Sequence, residues 1–251
     1  MAGGSAPGAS LVARTLDVLG AFDETHRRLT LTAIADRAGL STPTALRIVR
    51  QLVAGGALVR EHDGAYAVGR RMWDLGLLAP VQTRLRDVAA PFLADLQAAT
   101  RATVHLAVRD GEQVLYLDRL SGVASVPVVS RVGTRLPLHA TGVGKVLLAH
   151  APPEVRERVL ADLPRVTPYT VTSPRVLAGQ LGRVVRDGHA TTTEEMTLGA
   201  CSVAVPVRAG REVVAALGVV VPDFRHHRSR LLAGLQVAAA GIGRGLATQH
   251  E

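Results

Sequence analysis

The stretch LTLTAIADRAGLSTPTALRIVRQLVAGGALVREHDGAYAVG, residues 29–69, decides the fold of the first part of this chain. Its first half has the spacing of a short amphipathic helix, in which Ile34 and Ala38 share the apolar face. Thr30 precedes that helix as a capping residue, and Gly39 follows it as a residue that tolerates the left-handed conformation of a helix C-cap. We therefore predict a short helix that ends in a tight turn.

A second helix is predicted immediately after that turn. Its N-cap is Ser41 or Thr42, and Pro43 occupies a first-turn position where its missing N–H group costs no hydrogen bond. An apolar stripe at helical spacing follows, formed by Ala45, Ile48, Val49 and Leu52. Two short helices joined by a tight turn that contains Gly are typical of the helix-turn-helix, whose second helix enters the major groove of DNA.

A β-hairpin is predicted directly after the second helix. The runs Leu58–Val59 and Tyr66–Val68 flank Asp63 and Gly64, the dipeptide that best supplies the two positive φ angles of a type I′ turn. A helix pair alone is also compatible with a plain helical subdomain that binds no DNA. Because a short basic hairpin follows the pair at once, the sequence favours a winged helix-turn-helix domain that binds double-stranded DNA.

The polar side chains of this region divide into two predicted roles in DNA binding. Those on the polar face of the second helix point to base edges, whereas those beside them and on the hairpin contact phosphates or the adjoining groove. The residues predicted to face base edges are Thr42, Pro43, Thr44 and Arg47. The residues predicted to contact phosphates or the adjoining groove are Ser41, Arg50, Arg60 and His62.

The composition permits DNA binding without establishing it. The formal net charge is +8, but every basic residue except Lys145 is arginine, a usage typical of GC-rich coding rather than of a selected binding surface. The local pattern is more informative, because residues 39–60 contain three arginines and no acid. A hydrophobic content of 47% is ample for the packed cores of one large or two ordinary domains.

Nothing in the sequence is typical of a secreted or membrane protein. The single cysteine, Cys201, excludes an intrachain disulfide and a zinc site built from cysteines, which fits a reducing cytoplasm. Residues 1–8 have the composition of a disordered tail rather than of a signal peptide. No run of about 18 apolar residues is present. We expect a cytoplasmic protein without a membrane span, a metal site or a cofactor.

The rest of the chain predicts a second domain of α+β class. The helical pattern over 72–100 is interrupted by Pro80 and Pro91, which indicates a connector helix that ends or bends near Pro80. From residue 103 the period changes to that of strands with hairpin signals and amphipathic helices between them, which favours a mainly antiparallel sheet with flanking helices. The predicted organisation is a tail at 1–8, a winged helix-turn-helix at 9–70, a connector helix at 71–85 and the α+β domain at 86–250.

From about residue 9 to 248 the chain resembles the IclR (isocitrate lyase regulator) family of bacterial transcription factors. The motifs that carry the resemblance are LTLTAIADRAGL, TALRIVRQL, YAVGRRMWDLG, TVHLAVRDGEQVLYLDRL, SRVGTRLPLHATGVGKVLLA, TTTEEMTLGACSVAVPV and VVAALGVVVP, in that order. The resemblance implies a GAF-like effector domain behind the winged helix-turn-helix and a connector helix used in dimerisation. It also implies a homodimer or homotetramer on operator DNA, usually a repressor, that answers to a small molecule.

Two sets of residues are candidates for the effector site. Family members that bind small oxo-acids are expected to use an Asp, a Cys and two Ser, and the matching positions here are Thr192, Cys201, Gly218 and Val220. The loss of polar groups at those positions disfavours glyoxylate or pyruvate and favours a larger, more apolar effector, such as an aromatic acid. At a predicted helix start, the N–H groups of Gly142, Val143 and Gly144 are candidates to bind its carboxylate, with a merely structural turn as the alternative.

Two other functions stay open from sequence alone. An enzyme that retained a DNA-binding module needs a catalytic constellation. The GVGK segment lacks the further residues of a phosphate-binding loop, and no GxSxG, HExxH or CxxC spacing occurs. Cys201 is predicted to be a buried thiol on a strand, and at least one of Glu194 and Glu195 to lie in a solvated loop. The other function is an adaptor that uses the hairpin and connector for protein contacts, which would show no DNA binding in a gel shift.

Overall fold

The computed structural model describes residues 10–23, 25–78, 83–122, 129–224 and 228–247. Contacts within the chain divide it into two compact units, residues 1–81 and 82–251. Each unit has its own apolar core. The tail predicted at 1–8 lies outside the described residues.

The first unit combines short helices with a three-stranded antiparallel sheet. Its elements are α1 (Leu11–Gly20), β1 (Arg28–Leu29), α2 (Leu31–Ala38), α3 (Thr42–Ala54), β2 (Leu58–Arg60), β3 (Tyr66–Val68) and α4 (Arg70–Leu77). The strand order is β1-β3-β2. Val18, Ile34, Ile48 and Leu58 are buried together in its core. This arrangement is the predicted winged helix-turn-helix, with α2 and α3 as the helix pair and β2 and β3 as the wing.

Local chemistry sets the turn between α2 and α3. The hydroxyl of Thr30 accepts a hydrogen bond from the N–H group of Ala33 at 3.2 Å, which caps α2 as predicted. Gly39 ends α2 in the left-handed conformation, with φ of 65°. Ser41 is the N-cap position of α3, and Pro43 lies in its first turn. The angle between the two helices is therefore determined within a few residues.

The wing does not contain the predicted type I′ turn. Gly64 has a positive φ of 85°, whereas Asp63 has not. The N–H group of Gly64 donates to the carbonyl oxygen of Glu61 at 3.0 Å, and that of Glu61 donates to the carbonyl oxygen of Ala65 at 2.8 Å. This pattern matches a type I turn followed by a left-handed glycine. The Asp63 carboxylate stabilises it by accepting a hydrogen bond from the N–H group of Ala65 at 3.1 Å.

The connector predicted at 71–85 corresponds in part to α4, whose C-cap is Leu78. Its predicted end near Pro80 lies outside the described residues. The other predicted interruption, Pro91, lies inside a helix of the second unit without ending it. Buried Ala89 and Leu93 on either side of Pro91 anchor that helix in the core, and this packing offsets the lost hydrogen bond.

The second unit is a six-stranded antiparallel sheet with helices on both faces. Its elements are α5 (Thr83–Thr100), β4 (Thr103–Asp110), β5 (Gln113–Leu120), β6 (Arg135–Pro137), α6 (Gly142–Ala149), α7 (Pro153–Ala161), α8 (Pro174–Asp187), β7 (Ala190–Thr193), β8 (Cys201–Ala209), β9 (Glu212–Val221) and α9 (Arg228–Ala247). The strand order is β6-β5-β4-β9-β8-β7. The predicted α+β class and antiparallel sheet are confirmed.

The two faces of this sheet bury different cores. Val203 and Val205 of β8 point to α5 and α9, while Ala204 between them points to α6, α7 and α8. Side chains alternate between the faces because the period of a strand is two residues. On the α6 face the strands carry smaller and more polar residues near their ends, and a cavity opens there.

Candidate functional site

The first candidate site is the outer face of α3. This helix buries Ala45, Ile48 and Val49 and turns its opposite face to solvent. The residues that the sequence predicts as DNA contacts are exposed, except for the half-buried Thr44; the exposed ones are Ser41, Thr42, Pro43, Arg47, Arg50, Arg60 and His62. The structure thus brings the predicted set together on α3 and the wing of one unit.

The arginines of this surface are available to a polyanion. Within the described part of the chain, neither Arg47 nor Arg50 takes part in an ion pair. Arg60 lies over the ring of Tyr66, with 5.9 Å between the guanidinium carbon and the ring centroid. Asp63 at the tip of the wing is bound by Arg28 at 2.8 Å, which offsets its negative charge. Positive charge therefore dominates the part of the surface that would face phosphates.

The start of α3 also offers unpaired backbone donors. Ser41 does not cap the helix with its side chain, because its hydroxyl is hydrogen-bonded to that of Thr44 at 2.9 Å. Among the described residues, the N–H groups of Thr42 and Thr44 have no hydrogen-bond partner. Helix N-termini with free N–H groups bind phosphates well. This end of α3 suits a DNA backbone.

The second candidate site is a cavity of about 50 Å³ in the second unit. It lies between the α6 face of the sheet, the first turn of α6, and the loop at 194–200. Its lining includes His105, Tyr116, Ser130, Thr141, Gly142, Val143, Thr192, Met196, Thr197, Ala200, Ser202, Ala204, Gly218 and Val220. The described walls contain no charged side chain, so the site suits a mainly apolar ligand with a few placed polar groups.

Strand register explains why part of the predicted effector set meets in this cavity. Thr192 pairs with Ser202, and Ser202 pairs with Val220. Ala204 pairs with Gly218 one step further along β8 and β9. Directly paired residues share a face of the sheet. Thr192, Gly218 and Val220 therefore line one wall, as the sequence predicts.

Two residues of the predicted effector set do not fit this site. Cys201 lies one position before Ser202 on β8, so its side chain points to the opposite face of the sheet and does not line the cavity. Burial raises the pKa of the Cys201 thiol. Gly144 is the other exception, because its N–H group donates to the capping hydroxyl of Thr141 at 3.0 Å. Among the described residues, only the first two amides of α6, those of Gly142 and Val143, stay without a partner in that turn.

At one end of the cavity, two hydroxyls lie close to those free amides. The hydroxyls of Thr192 and Ser202 are hydrogen-bonded at 2.6 Å. A Cβ atom added to Gly142 would lie only 2.4 Å from Ser202 Oγ, which shows how closely α6 approaches β8. The arrangement presents two hydroxyls and the positive end of α6 to the same space. It suits a carboxylate.

Sequence reasoning missed a second polar group in the cavity, formed by His105 and Ser130. Both residues are buried, and His105 Nε2 lies 2.8 Å from Ser130 Oγ. Burial, and to a smaller extent the charge of Arg119, lowers the pKa of His105 to about 3. Tyr116 packs edge-on against the imidazole with 5.0 Å between the ring centroids, and burial raises its pKa. The available signal was the position of His105 between the apolar residues Val104 and Leu106 of β4.

A buried ion pair holds the loop at 194–200 against α6. Lys145 Nζ lies 2.6 and 2.7 Å from the two carboxylate oxygens of Glu195, and both side chains are buried. The hydroxyl of Thr170 donates to the backbone carbonyl of Glu195 at 2.7 Å. Glu194 is half-buried, with a positive φ of 55°. The loop that carries Met196 into the cavity is thus fastened at its start, and of the two glutamates Glu195 is the buried one.

No helix in the described part of the chain is long and apolar enough to cross a membrane. Within the same residues, no group of three or more His, Cys, Asp or Glu side chains is arranged to hold a metal ion.

Comparison with known proteins decides the family. The model of the bacterial transcriptional regulator IclR C-terminal domain matches residues 79–244, and the model of the IclR helix-turn-helix domain matches residues 11–62. The chain belongs to the IclR family. It is a DNA-binding transcriptional regulator of the ligand-responsive type, with the winged helix-turn-helix as the DNA-binding unit.

Relatives in this family include proteins connected with aromatic acids. A solved IclR homolog complexed with 4-hydroxybenzoate, from Microbacterium hydrocarbonoxydans, is 39% identical with a TM-score of 0.90, over 96% of this chain and 100% of that one. The p-hydroxybenzoate hydroxylase transcriptional activator of Acinetobacter baylyi is 33% identical over 78% of this chain and 74% of its own length. Another relative, whose name mentions no ligand, is the HTH-type transcriptional regulator BhcR of Paracoccus denitrificans, which is 34% identical over 88% of this chain and 80% of its own length.

Proposed function

We propose that α3 and the wing read an operator in double-stranded DNA. Arg47 and the first-turn residues Thr42, Pro43 and Thr44 face base edges in the major groove, since they occupy the face of α3 opposite its buried stripe. The residues assigned to phosphates or the adjoining groove are Ser41, Arg50, Arg60 and His62. The observation that carries this assignment is the exposed, unpaired basic face of the second helix of a helix-turn-helix.

The operator-bound form is proposed to be a homodimer or a dimer of dimers that acts as a repressor. Two helices of the first unit support self-association by exposing large apolar side chains. On α1 these are Leu11, Val12 and Leu16, and on α4 they include Trp73 and Leu75. Exposed apolar patches of this kind mark protein interfaces more often than free surface. A two-fold dimer would place two copies of α3 on successive half-sites.

The effector is proposed to be a monocyclic aromatic acid bound in the cavity of the second unit, whose walls must move apart to admit the ring because the volume is about 50 Å³. Its carboxylate would accept hydrogen bonds from the amides of Gly142 and Val143 and from the hydroxyl of Ser202. Its ring would lie against Val220 and Met196. The solved relative with 4-hydroxybenzoate supports this ligand class, and the mainly apolar lining disfavours two- and three-carbon oxo-acids, which have no apolar ring to bury.

A thermal-shift and calorimetry screen tests the effector class. The full-length protein is titrated with benzoate, 4-hydroxybenzoate, glyoxylate and pyruvate. Binding to the folded state alone raises the stability in proportion to the logarithm of ligand concentration over Kd. We expect stabilisation by an aromatic acid and none by the oxo-acids. Stabilisation by glyoxylate or pyruvate alone would overturn the proposed ligand class.

DNA footprinting tests the operator reading and the sign of regulation. DNA upstream of the protein's own gene and of its neighbours is the first target, since regulators of this kind commonly act on adjacent genes. A two-fold footprint that changes when an aromatic acid is added supports the proposal. In a reporter strain, deletion of the gene for this protein raises expression if the protein is a repressor. The same deletion lowers expression if the protein is an activator. Absence of any sequence-specific footprint would favour an adaptor.

A further inference from the structure

The cavity has two polar ends that differ in chemistry. The Thr192–Ser202 hydroxyls lie on β7 and β8 beside the first turn of α6, and the His105–Ser130 pair lies at β4. Strand β9 runs between β4 and β8. Two strand spacings are about 9–10 Å, so the two polar groups face each other across the cavity. A para-disubstituted benzene ring with a hydrogen bond at each end spans such a gap, whereas a two- or three-carbon acid does not.

The end at β4 suits a neutral hydrogen-bonding group rather than an anion. Among the described residues, no carboxylate contacts His105, and its Nε2 is engaged only by the hydroxyl of Ser130. The ring is enclosed by Tyr116 and shielded from water, conditions that disfavour the imidazolium form. A neutral imidazole next to a hydroxyl offers donor and acceptor capacity without positive charge.

We propose that His105 and Ser130 read a hydroxyl group in the para position of the aromatic acid. This specificity rests on the proposed function, since it takes the carboxylate end at α6 as given. The hydroxyl of Ser130 bridges the ligand hydroxyl and His105 Nε2, so that each donor in the chain has an acceptor. With the unsubstituted acid Ser130 keeps its hydrogen bond to His105, but its buried oxygen accepts none from the ligand, so that one buried hydrogen bond is lost. The protein therefore selects 4-hydroxylated over unsubstituted aromatic acids.

Calorimetric titration of the full-length protein with matched acids tests this selection. The ligands are 4-hydroxybenzoate, 3-hydroxybenzoate and benzoate. For the wild type we expect 4-hydroxybenzoate to bind at least about tenfold more tightly than the other two acids. This is the gain in affinity that one well-placed buried hydrogen bond gives. Ser130→Ala should lower the affinity for 4-hydroxybenzoate about tenfold and leave that for benzoate within about twofold. His105→Gln provides a second variant with the same expectation, and thermal unfolding of each variant checks that it folds.

Ser202→Ala is the matched control, because it removes a hydroxyl of the same kind at the carboxylate end. It should weaken all three acids by the same factor. Equal binding of benzoate and 4-hydroxybenzoate to the wild type, or an equal loss of both in Ser130→Ala, overturns the hydroxyl reading and leaves an aromatic-acid effector in place. Failure of the wild type to bind any of the three acids contradicts the proposed effector itself.

Discussion

The outer face of α3 and the cavity of the second unit handle polar groups in opposite ways. On α3, Arg47 and Arg50 are exposed and form no ion pair among the described residues. In the cavity, polar side chains are hydrogen-bonded in uncharged pairs, such as the buried pair of His105 with Ser130. The first surface acts through charge in water, where salt screens it. The second acts through directed hydrogen bonds at low dielectric, where an unmatched group is costly.

A single buried charge pair belongs to neither pattern. Within the described part of the chain, Lys145 and Glu195 form the ion pair in which both partners are buried. It joins α6, which carries the free amides, to the loop that carries Met196. Charge inside the second unit therefore serves to hold the walls of the cavity, not to contact a ligand.

The largest expected effect concerns this buried pair. Lys145→Met leaves the Glu195 carboxylate buried without a partner, which should lower the free energy of unfolding by about 3–5 kcal/mol. Urea denaturation measures it. Arg135→Ala, which breaks an exposed pair with Asp110 at 2.7 Å, is the control and should cost no more than about 1 kcal/mol. Equal costs for the two variants would mean that Lys145 and Glu195 are not buried in solution.

Salt concentration should affect binding at the two sites to different extents. If Arg50 and Arg60 of both protomers of a dimer meet phosphates, about four contacts give a slope near −3.6 for log operator affinity against log salt concentration. Over a fourfold rise in salt this is a loss of roughly 150-fold. Effector affinity, which rests on neutral donors, should have a slope between zero and −1. Fluorescence anisotropy with labelled operator and calorimetry with 4-hydroxybenzoate measure the two slopes. Similar slopes would contradict the difference between a charged site on α3 and an uncharged site in the cavity.

Arg47→Ala should remove specific DNA recognition. The loss of a bidentate contact to a base costs about 1–3 kcal/mol at each half-site. The side chain is exposed on the face opposite Ile48, so the thermal unfolding midpoint should stay unchanged. Competition between operator and random DNA measures the specificity ratio. Arg175→Ala, which removes an exposed arginine of the second unit, is the control. An unchanged footprint in Arg47→Ala would contradict the assignment of α3 as the reading helix.

A smaller effect follows from the neutral state of His105. The unfolded chain takes up a proton at this histidine near pH 6.5, whereas in the folded chain its pKa is lowered to about 3 by burial, with Tyr116 and Arg119 facing it. Stability is therefore lost as the pH falls below about 6.5, by roughly 1.4 kcal/mol at pH 5.5. In His105→Gln the free energy of unfolding should fall by about 1.4 kcal/mol less than in the wild type between pH 7.5 and pH 5.5. Denaturation at pH 7.5 and 5.5 measures the difference, and identical dependence in both proteins would contradict it.

The surface of α3 was predictable because it is local. Helical period alone separates Ile48 from Arg47, and both lie within one helix. The wing turn was predicted wrongly because the dipeptide preference does not include the hydrogen bond from the Ala65 amide to Asp63, which stabilises another turn type. Local spacing thus determined which residues are exposed, but not every backbone angle between them.

The cavity was predictable only in part, because distant segments build it. Alternation along β9 places Gly218 and Val220 on the same face, as predicted. Cys201 was assigned to the cavity through the family resemblance, whereas the pairing of Thr192 with Ser202 places the neighbouring residue there. His105 and Ser130 are 25 residues apart, and Lys145 and Glu195 are 50 apart. A lysine within the apolar run GVGKVLLA was nevertheless a signal that a buried carboxylate must lie nearby.

One measurement tests the central claim that the cavity of the second unit controls DNA binding. Operator affinity is measured with and without 4-hydroxybenzoate for the wild type and for Val220→Trp. The indole ring of the variant is larger than the valine side chain and fills the space beside Ser202. In the wild type we expect the acid to change operator affinity by about 5–150-fold, the usual range of allosteric coupling. Val220→Trp should bind operator as tightly as the free wild type and show no response to the acid. An undiminished response in the variant would contradict the account.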